Sequence, residues 1–199
     1  MARHRFRCFI EQNLGNYEKH RNQPHTDDTS HMSPYLHFGQ ISPLYLALEM
    51  KKAGGGEDQE SFLEELIVRR ELGMNYVHFT DDYDSLKPLP RWAKMTLDAH
   101  RKDRREHHYS REQLEAAETH DPYWNAAMNE TKVTGYMQNY MRMYWGKNIL
   151  EWSATPEEGF KATLALMNRY FLDGRDPLSY SNPAWVYGMH DRPWFERPI

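Results

Sequence analysis

The sequence lacks several features that mark common classes of protein. It has one cysteine, Cys8, which excludes an internal disulfide and a cysteine-based zinc site. No apolar run approaches the roughly 18 residues of a membrane span. The first residues, MARHRFRCFI, lack the apolar core of a signal peptide. These absences predict a soluble protein of the cytoplasm, or of the nucleus if the source is eukaryotic, with no membrane contact.

Excess positive charge and the common nucleotide motifs are also missing. The formal net charge is -4 and the sequence pI is about 6.3, so any site for nucleic acid must be a local basic patch. There is no GxGxxG, GxxxxGK[ST] or GxSxG motif, so a bound cofactor would need another kind of site. Eleven histidines are present, but His107 and His108 diverge on a helix and His31 lies six residues from His37. We therefore predict no metal site.

Aromatic residues are abundant, at 14% of the 199 residues, with 6 Trp and 13 Tyr. Mean hydropathy is -0.93, which is polar, but this aromatic content argues against disorder. The rings could be core residues, or could serve base stacking, an interface or electron transfer. Length alone predicts a single domain over residues 1–199.

Apolar residues recur with a helical period and nowhere alternate as in a strand, which predicts an all-α fold. Serine followed by proline predicts N-caps at Ser33 and Ser42, and Gly54 to Gly56 should end the second helix. Loops are predicted beyond Tyr170, where glycine and proline cluster. Further helices are predicted from Ser61, from Arg91 to about Arg105, from Ser110 with Gln113 as a capping box, from Asp121-Pro122, from Tyr136 to Trp152, and from Thr155-Pro156 with Glu158.

Two local patterns suggest chemistry, and each has a plain structural alternative. The hydroxyls and helix start of Thr29 to Gly39 could bind a phosphate, although serine-proline starts are mostly ordinary caps. Arg142 lies on an apolar helix and needs a partner to offset its desolvation, for which Asp173 is the candidate. That pair could be purely structural.

Six strings in order, SPYLHFGQIS, FLEELIVRREL, THDPYWNAAMNE, MRMYWGKNILEW, LDGRDP and HDRPWFERPI, together with Tyr17, resemble the carboxy-terminal flavin domain of class II cyclobutane pyrimidine dimer photolyases. The resemblance spans nearly the whole chain. It implies a helical domain of the photolyase/cryptochrome type that binds FAD and repairs pyrimidine dimers in ultraviolet-damaged DNA with light. The chemistry would belong to the cofactor, which the protein positions and tunes.

The resemblance also assigns roles to residues. Tyr17 and Thr29 to Ser33 would hold the ribityl-diphosphate part of FAD, while Asn139, Arg142 and Asp173 would line the flavin ring, where a cation stabilises an anionic reduced ring. The full set of implied cofactor contacts is Tyr17, Thr29, Ser30, His31, Met32, Ser33, Arg70, Asn139, Arg142, Asp173 and Arg175.

Light-driven reduction of the flavin would run through Trp145, nearest the flavin, and Trp124, nearer the surface, with Trp152 as a possible side branch. Core packing is the alternative for each tryptophan, and for Trp152 we favour it. Contacts to flipped bases and DNA phosphates are implied for Glu65, Met143, Trp185, Arg192 and Trp194. Loop anchoring is the alternative for the last two tryptophans.

Some features depart from the family pattern. The amino-terminal α/β antenna domain is expected to be absent, and the chain stops short of the usual basic tail. Met167-Asn168 replaces the more usual Asn-Asp, and Leu178-Ser179 replaces Asn-Gly. Loss of an amide beside the flavin would alter how the radical and reduced states of the ring are stabilised. The Trp185 to Trp194 loop is one residue shorter than is usual in the family, which would shift the register of Arg192 by one residue.

Other functions remain open. The chain could be a flavin-binding photoreceptor or an inactive remnant of the same superfamily. It could also be a helical DNA- or protein-interaction module without a cofactor, supported by the basic run Arg101, Lys102, Arg104, Arg105 and the aromatic tail. A monomer is expected.

Overall fold

The computed structural model describes residues 1–190, which are helical and contain no strand. This confirms the predicted all-α class. The α-helices are α1 Ala2–Gln12, α2 Tyr17–His20, α3 Ser33–His37, α4 Pro43–Lys52, α5 Glu57–Leu63, α6 Arg70–Phe79, α7 Arg91–Ala99, α8 Arg111–Ala116, α9 Pro122–Thr134, α10 Asn139–Trp152, α11 Pro156–Tyr170 and α12 Leu178–Val186; Leu14–Asn16 forms a 3₁₀ turn and Glu64–Arg69 a π-helical segment.

Most predicted helix starts are confirmed because the caps act locally. The side chain of Ser42 accepts from the N–H of Tyr45, and Ser110 forms its capping box with Gln113. The side chains of Asp121 and Thr155 cap α9 and α11. The cap predicted at Ser33 is wrong, because α3 already includes Ser33 and its side chain makes no capping hydrogen bond.

Three helix boundaries differ from those predicted. The helix expected from Ser61 begins at Glu57, because Gly56 adopts a positive φ of 129° and three acidic residues stabilise the first turn. Helix α7 ends at Ala99 rather than near Arg105, and Arg101 beyond it binds Glu157. Helix α10 begins at Asn139 rather than Tyr136.

The region beyond Tyr170, predicted as loops, contains helix α12. Its first turn follows Pro177, a residue suited to helix starts, and Asp176 Oδ1 accepts from the N–H of Leu178 at 3.1 Å. Pro183 lies inside the helix and lacks an N–H. Packing compensates, since the neighbouring Ala184 is fully buried in a cluster with Phe160.

The described residues divide into two compact units, residues 1–72 with 138–140 and residues 73–137 with those from 141 onward. The single-domain assignment remains a prediction. The core of unit 1 is an aromatic cluster in which the ring of Phe62 lies 5.6 Å from Phe6, 5.5 Å from Phe9 and 5.7 Å from Tyr17. These residues join α1, α2 and α5 around one apolar centre.

Unit 2 has two apolar clusters. One contains Trp124, Trp145 and Trp152 with residues of α8, α9, α10 and α11, and the other packs α7, α11 and α12 around Phe160 and Tyr187. Burying each large side chain contributes about 1.5–3 kcal/mol relative to exposure. The tryptophans are therefore the principal packing residues of the first cluster.

None of the described helices is long and apolar enough to cross a membrane.

Candidate functional site

Arg142 lies on α10, and two separate interactions hold its side chain in place. Its Nε donates to the carbonyl oxygen of Met137 at 2.9 Å, and its Nη1 lies 3.2 and 3.1 Å from the two carboxylate oxygens of Asp173. The side chains are 20% and 14% exposed, so the pair is largely withdrawn from water. The guanidinium carbon lies 4.6 Å from the centre of the Phe171 ring. The predicted pairing is confirmed, and the result is a fixed cation at the border of the core.

Asp173 belongs to a tight turn that Gly174 makes possible. A Cβ at Gly174 would lie 2.6 Å from the carbonyl oxygen of Met167 and 2.9 Å from that of Phe171. Arg175 follows with a positive φ of 65°, and its N–H donates to Asn168 Oδ1 at 2.8 Å. The turn therefore aims the Asp173 carboxylate at Arg142.

Replacing Gly174 with alanine is expected to destabilise the protein by about 1–3 kcal/mol, because the new methyl group meets backbone atoms that have little freedom to move. Urea denaturation measures this change. Gly55→Ala is the matched control, since its Cβ would meet nothing within 4 Å, and it should be neutral or slightly stabilising. Equal stability of the two variants would contradict the close approach at Gly174.

Trp124 and Trp145 form a parallel stack inside unit 2. Their ring centroids are 6.0 Å apart with an interplanar angle of 10°, and the side chains are 0% and 1% exposed. Trp124 Nε1 donates to the carbonyl oxygen of Trp145 at 3.1 Å, whereas Trp145 Nε1 is buried without a partner among residues 1–190. Both indoles are enclosed by the core, and the order in which they lie between the flavin and the surface stays a prediction.

The path toward solvent continues through Trp152. Its ring lies 5.6 Å from that of Trp124, so the three tryptophans are contiguous. Beyond it lie the rings of Tyr109 at 5.4 Å and His120 at 5.2 Å, and the hydroxyl of Tyr109 is 2.8 Å from Nδ1 of His120. Trp152 is 4% exposed, while His120 is exposed. Trp152 is therefore both a core residue and a link between the stack and the surface.

In unit 1, Tyr17 is buried and surrounded by charged groups. Burial, followed by the charge of Glu65, raises the pKa of Tyr17 to about 12. The guanidinium of Arg21 lies 5.9 Å from the tyrosine ring, and its Nη1 donates to Glu65 Oε1 at 2.7 Å. Glu65 is thus a carboxylate held by an arginine, with 41% of its side chain exposed.

A network around Asp28 holds the loop that precedes α3. Asp28 accepts from Asn13 Nδ2 at 2.7 Å, and its other oxygen lies 2.5 Å from Nδ1 of His20. Farther along, His31 has a positive φ of 51° and its ring lies 2.5 Å from a carboxylate oxygen of Asp27. The segment predicted to bind phosphate therefore has a defined conformation, set by side chains that precede it.

The Asp28 network makes a prediction about acid stability. The hydrogen bonds from His20 and then Asn13 hold the pKa of Asp28 below its usual value, so its contribution is present above the unfolded pKa of about 4 and is lost as pH falls through the folded value. We expect Asp28→Asn to lose about 1 kcal/mol at neutral pH and to show a flatter fall in stability on acidification. Denaturation curves between neutral and acidic pH test this, with the exposed Asp81→Asn as control.

The other implied cofactor and substrate residues are scattered over the two units. Arg70 is 13% exposed and lies 3.9 Å from Glu71, while the exposed Asn139 donates to Asn22 at 3.1 Å. Thr29, Ser30, Met32 and Ser33 lie in or beside the loop before α3, with Met32 buried. Their roles remain predictions.

Substrate contacts were implied for Met143, which is half-buried, and for Trp185, which is 42% exposed and packs against His190 at 5.5 Å. Arg192 and Trp194 lie outside the described residues. The guanidinium of Arg175, assigned to the cofactor, donates to the carbonyl oxygen of Asn168 at 3.0 Å.

The two pairs of residues that differ from the family pattern, 167–168 and 178–179, are in contact. Asn168 Oδ1 accepts from the hydroxyl of Ser179 at 2.9 Å and from the N–H of Arg175. Met167 is buried in the same apolar cluster as Trp145. The departures are therefore accommodated by packing and hydrogen bonding, and one of them supports the Asp173 turn.

Sequence reasoning missed Arg21 and Tyr144, and it named Asn168 only as a departure from the family pattern, without its contacts. Helical spacing did signal part of the first, since Arg21 lies three residues after Glu18 and 3.4 Å from it. No local pattern connects Tyr144 with Asp121 or Asn168 with Ser179, because those partners are distant in sequence.

The basic run does not form a free patch. Two nitrogens of Arg101 bind Glu157 at 2.8 and 2.6 Å, and Arg105 is half-buried with Nη2 3.5 Å from the carbonyl oxygen of His100. Lys102 and Arg104 are exposed. This weakens the hypothesis of a DNA-binding module that depends on these four residues.

Comparison with known proteins gives a consistent result. No family model matches the chain. It is 54% identical over 194 residues to a deoxyribodipyrimidine photo-lyase of Methanothermobacter thermautotrophicus, covering 98% of this chain and 43% of that protein. A deoxyribodipyrimidine photo-lyase of Oryza sativa is 47% identical over 195 residues, covering 96% and 38%. The chain is similar to photolyases along nearly all of its length.

Solved structures show the same fold at low identity. A class III photolyase from Agrobacterium tumefaciens superimposes with a TM-score of 0.75 at 20% identity, covering 94% of this chain and 37% of that one. A Synechocystis cryptochrome gives 0.72 at 16%, covering 98% and 40%. The chain thus has the helical fold of part of these proteins, and it spans about two fifths of the length of the relatives it matches.

Proposed function

We propose that the chain is the flavin-binding, catalytic part of a light-driven DNA repair enzyme of the class II photolyase type, acting on cyclobutane pyrimidine dimers. The observation that carries the proposal is the buried stack of Trp124 and Trp145, continued by Trp152. Neighbouring indoles shorten each step of electron transfer, which a protein built only to bind DNA does not need. The similarity to photolyases supports this interpretation.

The residues of unit 2 suit a flavin. Bound FAD would supply the light-driven electron transfer that splits the dimer. Arg142 is a cation fixed by Met137 and Asp173, with its charge available to stabilise a negatively charged ring. Trp145 also keeps a buried N–H without a partner among residues 1–190, which a ligand acceptor could satisfy. Both observations support the assignment of Arg142, Asp173 and Trp145 to the cofactor.

In unit 1, we propose that Tyr17 and the loop containing Thr29 to Ser33 bind the ribityl-diphosphate part of FAD, together with Arg70. The hydroxyls of this loop are suited to phosphate oxygens, and the Asp28 network orders the loop before binding. Asn139 and Arg175 complete the proposed set of contacts.

Ultraviolet-damaged DNA is the proposed substrate. Glu65 would accept hydrogen bonds from the flipped bases, since it is a half-exposed carboxylate oriented by Arg21. Met143 and the exposed ring of Trp185 would pack against the bases, joined by Trp194, while Arg192 would bind phosphate. An amino-terminal antenna domain is a further proposed partner, and we expect a monomer located in the cytoplasm or nucleus.

Flavin binding and light-driven repair test the proposal separately. The purified chain is expected to be yellow or blue, and its absorption spectrum to show oxidised or reduced flavin. Blue light should restore thymines in an oligonucleotide that contains a thymine dimer, and a matched sample kept in darkness should show no repair. A colourless protein that neither takes up added FAD nor repairs the dimer would contradict the proposal.

A flavin-binding photoreceptor without repair activity is the second candidate. It is favoured by Met167, an apolar side chain buried beside the tryptophan cluster at a position where the resemblance leads us to expect an amide. Light-driven reduction of the flavin without loss of dimers would support this candidate over the first.

A further inference from the structure

Asp121 connects the two helices that carry the stacked tryptophans. Its Oδ1 accepts from the backbone N–H groups of Tyr123 at 2.8 Å and Trp124 at 3.0 Å, which caps α9. Its Oδ2 accepts from the hydroxyl of Tyr144 on α10, one residue before Trp145. One carboxylate therefore binds the start of one helix and a side chain of the other.

The Asp121 carboxylate is one of two links between the helices of the stack, and the indole N–H of Trp124 makes the other. The hydrogen bond from Trp124 Nε1 to the carbonyl of Trp145 ties the same helices together at 3.1 Å. The bond from the Tyr144 hydroxyl to Asp121 and the bond from Trp124 to the carbonyl of Trp145 together leave little freedom for α9 to slide along α10. The 6.0 Å separation and 10° angle between the rings are the geometry that results.

Asp121 is itself held by its neighbours. Its N–H donates to Thr119 Oγ1 at 3.2 Å, and Asn125 Oδ1 accepts from the N–H of Thr119 at 3.0 Å. Asn125 Nδ2 in turn donates to the carbonyl of Thr119 at 2.8 Å. Thr119, two residues before the cap, is thus locked to the first turn of α9, which fixes the direction of the carboxylate.

The carboxylate stays ionised at neutral pH. Burial would raise the pKa of Asp121, but the hydrogen bonds from Tyr144 and from the N–H groups of Trp124 and Tyr123 outweigh burial and lower it. Burial, followed by the hydrogen bond to Asp121, raises the pKa of Tyr144 to about 12, so this hydroxyl remains the donor. Charge-assisted hydrogen bonds of this kind are stronger than neutral ones.

We infer that Asp121, acting through Tyr144, is a positioning residue that sets the spacing of Trp124 and Trp145 for electron transfer. This role rests on the proposed function. This role differs from ordinary helix capping. A residue that only caps α9 needs only its bonds to the N–H groups of Tyr123 and Trp124, so loss of the Tyr144 hydroxyl would have no effect on the stack.

The full chain with Tyr144→Phe provides the test. The closely stacked indoles should give an exciton couplet in the circular dichroism spectrum, which needs no flavin. Trp145→Phe identifies the part of the signal that comes from the stacked pair, because it leaves the contact between Trp124 and Trp152 in place. Tyr144→Phe is expected to lose part of the couplet. The matched control is Tyr170→Phe, which removes another tyrosine–carboxylate bond, 2.5 Å long to Glu115, and should keep the couplet.

Two substitutions at Asp121 separate the effect of the helix cap from that of the hydrogen bond to Tyr144. Asp121→Ala removes both and should lose more of the couplet than Tyr144→Phe. Asp121→Asn keeps one acceptor oxygen for the cap, and its amide N–H can donate to the Tyr144 oxygen in place of the lost acceptor, so it should keep more of the couplet than Asp121→Ala. In flavin-loaded samples, transient absorption should show slower electron transfer in the variants that lose the couplet.

An unchanged couplet in Tyr144→Phe would overturn the inference, and so would a reduced couplet with unchanged electron-transfer kinetics. Failure of every variant and of the parent chain to bind FAD would instead reject the proposed function. In that case the couplet still decides whether Asp121 and Tyr144 set the spacing. If Asp121→Ala does not fold, Tyr144→Phe alone carries the test.

Discussion

Arg142→Met is expected to unfold at markedly lower denaturant and to lose the ability to retain FAD. The substitution leaves the Asp173 carboxylate, 14% exposed, without its cation, and removing one partner of a largely buried pair costs about 3 kcal/mol. It also removes the hydrogen bond to the carbonyl of Met137. Urea denaturation and flavin absorption of the purified protein measure the two effects.

The exposed ion pair of Arg169 and Glu115 is the matched control for Arg142→Met. Its charged atoms are 2.7 Å apart, but the arginine side chain is 66% exposed. Arg169→Met should therefore cost less than about 1 kcal/mol and leave flavin binding unchanged. The double variant Arg142→Met/Asp173→Leu should recover stability without recovering flavin. Retention of FAD by that double variant would remove Arg142 from the proposed site.

Trp145→Phe is expected to abolish light-driven reduction of the bound flavin while leaving the fold intact. The Trp145 side chain is 1% exposed, so the smaller phenylalanine ring leaves a gap in the core and interrupts the parallel stack with Trp124. We expect a loss of stability of about 1–3 kcal/mol, which folded protein tolerates. Bleaching of the oxidised flavin band under blue light, with an external reductant present, measures the reduction.

Trp124→Phe should give the same loss of photoreduction, because the two indoles act in series. Trp92→Phe is the control, since Trp92 is half-buried in the other apolar cluster of unit 2. It should reduce its flavin at the rate of the parent chain. If Trp145→Phe still photoreduces at that rate, the stack is a core feature and electrons take another route.

Helix starts were predictable where the physical cause lies within a few residues. Ser110 with Gln113 and Asp121 before Pro122 are local caps, and both form as predicted. Local sequence patterns gave the wrong secondary structure where tertiary packing outweighs them, as in the region beyond Tyr170. Helix α12 forms through Pro183 because burial of Ala184 and its neighbours outweighs a missing N–H.

The candidate site was predictable in its residue types more than in its geometry. An arginine on an apolar helix requires a carboxylate, and Asp173 is that partner across 31 residues. By contrast, Arg21 meets Glu65 across 44 residues and Asp121 meets Tyr144 across 23, and neither pairing has a sequence pattern that marks it.

The sequence by itself determined the helical class, most of the caps, the need for a partner at Arg142 and the resemblance to photolyases, because each follows from neighbouring residues or from ordered motifs. Only the tertiary structure decided the 6.0 Å stack, the complete burial of Trp124 and the carboxylate that links Tyr144 to the start of α9. The reason is physical: distances between side chains far apart in sequence are set by how whole helices pack, and helix packing sums many weak contacts that no short pattern records.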